Sequence, residues 1–152
     1  MIGKTLTAII FLAIALISLP SMANLLVSNA TVRLLPPGVK NTSAYFSISN
    51  QSQQDHYLVA ADVDFAEKAE LHAHIMQGDM MRMEQQEKVL IPAGETVIFK
   101  PGSLHIMIFG LHQSLHQDQT VTLTLITDDQ QSVLVEATVV MPGQESVQHR
   151  HH

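Results

Sequence analysis

The stretch TVTLTLITDDQQSVLVEATVV, residues 120 to 140, contains two runs in which apolar and polar residues alternate. A period of two is typical of a β-strand with one buried face, because successive side chains of an extended chain point to opposite sides. Between the runs, DDQQ at 128 to 131 supplies turn-forming residues. The stretch therefore predicts two strands, Thr120 to Ile126 and Ser132 to Val140, joined by a turn.

The same pattern extends toward the N-terminus as far as residue 25, with breaks such as PPG at 36 to 38 and PAG at 92 to 94. Many short strands with turn residues between them predict an all-β protein, an antiparallel β-sandwich or barrel. A short helical turn is possible only in the segment 61 to 67. The remaining predicted strands are Leu25 to Leu35, Ser43 to Ser49, Tyr57 to Val63, Lys68 to His74, Met80 to Glu84, Glu87 to Ile91, Thr96 to Lys100 and Leu104 to Ile108.

Residues 1 to 23 have the composition of a secretory signal peptide. A positive start at Met1 to Lys4 precedes an apolar run over Thr5 to Leu19, and the small residues up to Ala23 suit a signal peptidase. The apolar run is short for a membrane span, although an uncleaved membrane anchor is the alternative interpretation. We therefore predict cleavage after Ala23, export to the periplasm and no membrane attachment of the mature chain.

The net charge and the absence of cysteine argue against several classes of function. A formal net charge of −6 argues against a nucleic-acid partner or an anionic membrane surface. The chain has no cysteine, so an exported form has neither disulfides nor a thiolate metal site, nor the lipobox cysteine of a lipoprotein. We predict one β-sandwich domain over residues 24 to 142, long enough for a core of its own. A flexible His-containing tail, 143 to 152, follows and ends HRHH.

The metal prediction begins with ELHAHIMQGDMMRMEQQ, residues 70 to 86, which is rich in His and Met. Residues i and i+2 of an extended chain point to the same face, so His72 and His74 share one face of a strand. Met81 and Met83 do likewise on the next strand, across the QGD turn. The hairpin can thus present imidazoles and thioethers to one point.

A second stretch, LHIMIFG at 104 to 110, places His105 and Met107 on one face for the same reason. The full spacing is His72-x10-Met83-x21-His105-x-Met107. Thioether sulfur is soft and neutral, which disfavours Mg²⁺ and Ca²⁺, and zinc prefers thiolate, imidazole and carboxylate ligands. Two thioethers combined with two imidazoles favour Cu(I).

This spacing resembles that of the PCuAC-type periplasmic copper(I) chaperone family, whose motif is a His, ten residues, a Met, twenty-one residues and then His-x-Met. The match falls on His72, Met83, His105 and Met107 without a spacing error. NATVRLLPPG, TSAYFSISNQ, AELHAH and IPAGETVIFKPGSLHIMIFGL are also similar to segments of that family. The likeness covers roughly residues 27 to 141, nearly the whole mature chain.

The resemblance implies a cupredoxin-like Greek-key sandwich with a copper site at one exposed edge. It also implies that the protein carries Cu(I) to the dinuclear copper centre of cytochrome c oxidase, alone or with a Sco-type thiol protein. Many members have Met where this chain has Ala73, which leaves open whether His74, Met76, Met80 or Met81 contributes to binding. The tail resembles an accessory copper-binding extension of some relatives. Its candidate Cu(II) ligands are His149, His151 and His152.

Other function classes fit fewer of the residues. An electron-transfer cupredoxin needs a Cys ligand, which this chain lacks. A metal-dependent enzyme could use a three-His site of His72, His74 and His105, but no acidic residue has an obvious general-base spacing beside them. A copper storage or resistance protein and a structural sandwich with fortuitous Met content are the further alternatives. We expect no enzymatic activity, and we expect His56, which has no partner signal, to lie on the surface.

Overall fold

A computed structural model describes residues 24 to 145, and all regular structure in this range is β. Ten strands are present, one for each predicted strand, with ends that differ from the prediction by only a few residues. The all-β prediction is therefore confirmed. The strands are β1 (Leu25–Arg33), β2 (Thr42–Asn50), β3 (His56–Val63), β4 (Ala66–Gln77), β5 (Met80–Gln85), β6 (Val89–Ile91), β7 (Thr96–Phe99), β8 (His105–Leu111), β9 (Thr120–Thr127) and β10 (Ser132–Val140).

The helical turn considered for residues 61 to 67 is wrong. Ala61 and Val63 belong to the end of β3, and Ala66 begins β4 after a two-residue bend. All three side chains are buried, and Ala61 pairs with Ala69 of β4. Burial at every second residue is the strand period, and it outweighs the helix-forming tendency of the alanines in this segment.

The strands form one hydrogen-bonded sheet in the order β5-β4-β8-β2-β1-β10-β9-β3-β6, with β7 paired to β2. The Ala61–Ala69 pairing between β3 and β4 joins the two sides of this sheet, so that it closes around a core. The described strand pairs are antiparallel except β1 with β10, which is parallel. A hairpin cannot join parallel strands, and these two come from opposite ends of the domain.

The core follows directly from the alternation along β9 and β10. Val121, Leu123 and Leu125 point inward, and Leu123 pairs with Val135 of the neighbouring strand. Their neighbours in the chain point outward, so each strand has one buried face and one exposed face. Side chains of the other strands fill the same interior. The largest fully buried apolar side chains are Phe99, Ile48, Leu58, Ile91, Ile106, Ile108, Leu123 and Leu125.

An ion pair holds the end of the described chain against the barrel. Arg33 Nε donates a hydrogen bond of 2.5 Å to Glu145 Oε1, and Glu145 is only 6% exposed. The Gly143 N–H donates to the other carboxylate oxygen at 2.7 Å. Burial has the largest single effect on the Glu145 pKa and raises it, but the hydrogen bonds from Arg33 and the backbone together lower the pKa below its usual value.

We expect Glu145→Gln to reduce the free energy of unfolding at pH 6 by about 1 to 3 kcal/mol, because hydrogen bonds to a charged group are lost. A carboxyl with a depressed pKa stabilises the fold fully above its unfolded pKa, 4.5, and this contribution is lost as pH falls through the folded pKa. Denaturant unfolding at pH 6 and pH 3 measures the difference. Glu136→Gln, at an exposed position of β10, is the control. A difference for Glu145→Gln that is as large at pH 3 as at pH 6 would contradict the pairing.

The predicted signal peptide, 1 to 23, lies outside the described residues, as do His149, His151 and His152 of the tail. Within residues 24 to 145, no helix has the length and apolar character that a membrane span requires. The first residues of the predicted tail, 143 to 145, are described, and Glu145 is attached to the barrel through Arg33.

Candidate metal centre

The predicted ligands lie on one outward face of three neighbouring strands, with β4 in the middle and β5 and β8 on either side. Directly opposed residues of an antiparallel pair point to the same face. The reverse face of β4 and β8 supplies Leu71, Ile106 and Ile108 to the core. The outward face, which we call the His/Met face, consists of the opposed pairs Glu70–Met107, His72–His105, His74–Met83 and Met76–Met81.

The hairpin turn fixes which residues of β4 and β5 face each other. Only Gly78 and Asp79 separate the two strands, and Gln77 pairs with Met80. Gly78 has φ of +64°, a left-handed conformation that glycine adopts without steric cost. A two-residue loop leaves no freedom to shift the strands, so that His74 stands opposite Met83.

Three imidazole rings meet on the His/Met face. The ring centroid of His105 lies 5.8 Å from that of His72 and 5.2 Å from that of His74, the latter edge-on. Each ring has one nitrogen that is shielded from solvent and has no hydrogen-bond partner. These nitrogens are His72 Nδ1, His74 Nδ1 and His105 Nε2. Buried polar atoms without a partner are rare in folded proteins, and ring nitrogens of this kind suit a metal ion.

His105 is oriented for ligation by its own loop. Its side chain is almost fully buried at 2% exposure, and its Nδ1 lies 3.1 Å from the Ser103 carbonyl oxygen. A carbonyl only accepts, so Nδ1 carries the proton and Nε2 of the neutral ring keeps its lone pair. Burial lowers the pKa of His105, the Ser103 carbonyl partly opposes this, and the nearby His74, His72 and Arg33 lower the pKa further. The ring is therefore held in the neutral form that binds metals.

Glu70 orients the second imidazole. Its Oε2 lies 2.9 Å from His72 Nε2, and Lys68 Nζ donates to its Oε1 at 2.7 Å. The hydrogen bonds from His72 and then Lys68 lower the pKa of Glu70, so the carboxylate is ionised and only accepts. His72 Nε2 must then donate, which leaves the lone pair on Nδ1. A carboxylate behind the ring is the usual arrangement for a metal-binding histidine.

We expect Glu70→Gln to weaken Cu(I) binding by about 10-fold, because the amide can no longer hold the His72 tautomer with the same strength. Competition with a chromophoric Cu(I) chelator measures the affinity. The matched control is Glu84→Gln, since Glu84 is an exposed residue of β5 that pairs with Ala73 on the opposite face. Equal affinities for the two variants would show that Glu70 does not orient a ligand.

The thioethers are more exposed than the imidazoles. Met83 is 53% exposed, whereas Met107 is half-buried and its sulfur accepts a hydrogen bond of 3.6 Å from Ser43 Oγ. Met76 and Met81 are exposed and oppose each other beyond His74, toward the turn. Met80 is also exposed, but as the neighbour of Met81 it points away from the His/Met face. None of the methionines of this hairpin belongs to the described core.

Met83 and Met107 lie on opposite sides of the opposed pair His72–His105. Met83 stands opposite His74, two residues along β4 from His72 toward the hairpin turn. Met107 stands opposite Glu70, two residues from His72 in the other direction. Two residues along a strand span about 7 Å, so both thioethers must turn toward the imidazoles to share an ion with them. Methionine has three rotatable bonds and adapts readily to such a change.

A closer group of nitrogen and oxygen atoms that could bind a metal occurs elsewhere in the described chain. Within residues 24 to 145, His56, Asp128 and Asp129 are the group of three His, Asp or Glu residues whose ligand atoms all lie within 4.8 Å of one another. The three histidines of the His/Met face are not drawn together to this extent. The expectation of a surface position for His56 is wrong, since its side chain is buried at 8% exposure. Its Nδ1 lies 4.0 Å from Asp128 Oδ1. No local pattern indicates this contact, because His56 and Asp128 are distant in the chain.

The family model described as "Putative lipoprotein LpqE-like" matches residues 25 to 139. The chain belongs to the LpqE-like family. It is 30% identical over 104 residues to "Putative lipoprotein Lxx21020" of Leifsonia xyli, a match that covers 68% of this chain and 61% of that protein. It is 28% identical over 102 residues to "Uncharacterized protein RP573" of Rickettsia prowazekii, covering 66% and 56%. The match thus spans less than two thirds of either relative.

Solved structures share the fold of this LpqE-like protein. The "Solution structure of CuI-DR1885 from Deinococcus Radiodurans" superimposes with a TM-score of 0.61 at 33% identity, covering 73% of this chain and 74% of that one. The "Copper-bound PCuAC domain from PmoF2" gives a TM-score of 0.67 at 14% identity, covering 78% and 93%. The resemblance to PCuAC domains and the cupredoxin-like fold class are thereby confirmed.

Proposed function

We propose that this protein is a periplasmic copper chaperone that binds Cu(I) through His72, Met83, His105 and Met107. The observation that carries the proposal is the unpartnered, shielded Nε2 of His105, on a face shared with the other three side chains. The likeness to copper-bound PCuAC domains supports the same role. The predicted signal peptide and the lipoprotein family both fit an exported protein.

The donor set suits Cu(I) better than other common ions. Two neutral imidazoles and two neutral thioethers supply soft ligands without negative charge, which a monovalent ion tolerates and Mg²⁺, Ca²⁺ or Zn²⁺ does not. Methionine needs no deprotonation, so only the histidines make binding sensitive to pH. A cysteine-free site also cannot be lost to disulfide formation in an oxidising compartment.

The uneven exposure of the ligands suits transfer of the ion. His105 is buried and fixed, whereas Met83 is half exposed and flexible, so the ligand of an acceptor can replace Met83 before the imidazoles release copper. We infer a binding and transfer protein without enzymatic activity. As acceptor we propose the dinuclear copper centre of cytochrome c oxidase, reached directly or with a Sco-type thiol protein. Cu(II) capture by His149, His151 and His152 stays a prediction.

Titration with Cu(I) against a chromophoric chelator tests the site. We expect one tight equivalent for the exported protein, and a loss of affinity of about 10-fold or more in Met83→Leu and in Met107→Leu. Leucine keeps the apolar volume and removes the sulfur. Met80→Leu is the matched control, because Met80 is exposed on the same strand as Met83 but faces the other way. Unchanged affinity in both test variants would reject the four-ligand assignment.

A further inference from the structure

His74 occupies the space between Met83 and His105 on the His/Met face. It opposes Met83 across the hairpin, and its ring meets that of His105 edge-on at 5.2 Å. Its main-chain N–H donates to the Ser103 carbonyl at 3.2 Å, the same carbonyl that orients His105. The backbone at His74 and the ring of His105 are therefore tied to one oxygen atom.

The His74 ring also has an unused nitrogen. Its Nδ1 is shielded from solvent and has no hydrogen-bond partner. Leaving such an atom unpaired costs about 1 to 3 kcal/mol, so its position calls for a ligand. The four-ligand Cu(I) site does not include His74, and a purely structural histidine would be expected to bond through this nitrogen.

We propose that His72, His74 and His105 form a second, nitrogen-only binding state of the same site, which takes Cu(II). This inference rests on the proposed function, because His72 and His105 belong to both states. Cu(II) is harder than Cu(I) and favours imidazole nitrogen with tetragonal geometry, whereas thioether sulfur selects Cu(I). The oxidation state of the ion therefore decides whether His74 or the thioethers complete the site.

The ring positions are consistent with a shared ion. With metal–nitrogen bonds of about 2 Å, the centroids of two imidazoles on one ion stand about 4.5 to 6 Å apart. The observed separations from His105 are 5.8 Å to His72 and 5.2 Å to His74. The three ring nitrogens do not yet all lie within 4.8 Å of one another, so the rings of the two β4 histidines turn toward His105 as the ion binds.

Exchange between the two states needs no change of strand pairing. His74 and Met83 are direct cross-strand neighbours, and side chains at such positions are close enough to replace each other at one ion. Met83 is exposed and free to rotate, and it withdraws when His74 binds. Binding of either ion is a ligand-exchange event, and no electron transfer is part of the proposal.

The test compares Cu(II) and Cu(I) binding in His74→Ala and Met83→Leu, with His149, His151 and His152 replaced by alanine throughout so that the tail does not compete. We expect His74→Ala to weaken Cu(II) binding by about 10-fold or more and to reduce the nitrogen couplings in the electron paramagnetic resonance spectrum. Its Cu(I) affinity should change by less than about 3-fold. Met83→Leu should show the reverse pattern.

Thermal unfolding of the metal-free variants identifies any loss of fold, and His74→Phe repeats the test with a ring that cannot bind metal. An unchanged Cu(II) spectrum in both His74 variants would overturn the inference, as would an equal loss of Cu(I) and Cu(II) affinity. Failure of the proposed function has a different signature, namely unchanged Cu(I) affinity in Met83→Leu. The two ideas can therefore be rejected independently.

Discussion

Replacing His105 by alanine is expected to abolish tight Cu(I) binding, with a loss of affinity of more than about 100-fold. Loss of a residue that only orients a ligand already costs about 10- to 100-fold, and His105 offers the ligand atom itself. Among the candidate ligands that the structure describes it is the most buried, at 2% exposure, and its Nε2 is directed by the Ser103 carbonyl. Its aromatic neighbour Tyr45, with a ring centroid 6.5 Å away, is a poor substitute ligand for Cu(I).

Chelator competition measures the effect, and His112→Ala serves as the control because this exposed histidine follows directly after β8. The control should bind copper as the unaltered protein does. Unfolding of the metal-free His105→Ala protein shows whether the barrel is intact, since the substitution also leaves a small cavity. A folded variant that keeps one tight Cu(I) equivalent would place the copper site elsewhere on the chain.

The sequence determines the strands of this fold better than it determines their partners. The alternation in residues 132 to 140 lies within a single segment, and the predicted bounds coincide with β10. The parallel pairing of β1 with β10 and the Ala61–Ala69 pairing that closes the sheet involve residues far apart in the chain. No local pattern indicates such pairings, because they depend on which edges meet when the whole sheet curls.

The same distinction applies to the candidate site. Spacing and strand period predict that His72 shares a face with His74, and His105 with Met107. The register that sets His74 opposite Met83 depends on a two-residue turn whose length the predicted strand ends left open. Glu70 had a local signal, since it precedes His72 by two residues on the same face. No sequence signal indicates that Ser103 orients His105, because the contact is made by the backbone carbonyl and not by the side chain.

Phe99 links the stability of the core to the loop that carries the site. It is one of the largest buried side chains of the described residues, at 2% exposure, and it stacks on Phe46 with ring centroids 4.4 Å apart. The next residue, Lys100, begins the turn into β8, with hydrogen bonds from its N–H to the Leu104 carbonyl and from the Ser103 N–H to its own carbonyl. This turn positions Ser103, which in turn orients the imidazole of the best-buried candidate ligand.

Phe99→Ala is therefore expected to lower the free energy of unfolding by about 3 to 5 kcal/mol, the usual cost of removing a buried phenyl ring and leaving a cavity. Ile98→Ala is the matched control, since Ile98 is the adjacent residue of β7 but is 46% exposed, and it should cost less than about 1 kcal/mol. Denaturant unfolding of the metal-free proteins measures both. The turn after Phe99 orients His105. If that turn re-forms around the ion in the variant, saturating Cu(I) should restore part of the lost stability. Equal costs for the two variants would show that the ring stack does not anchor β7 to the core.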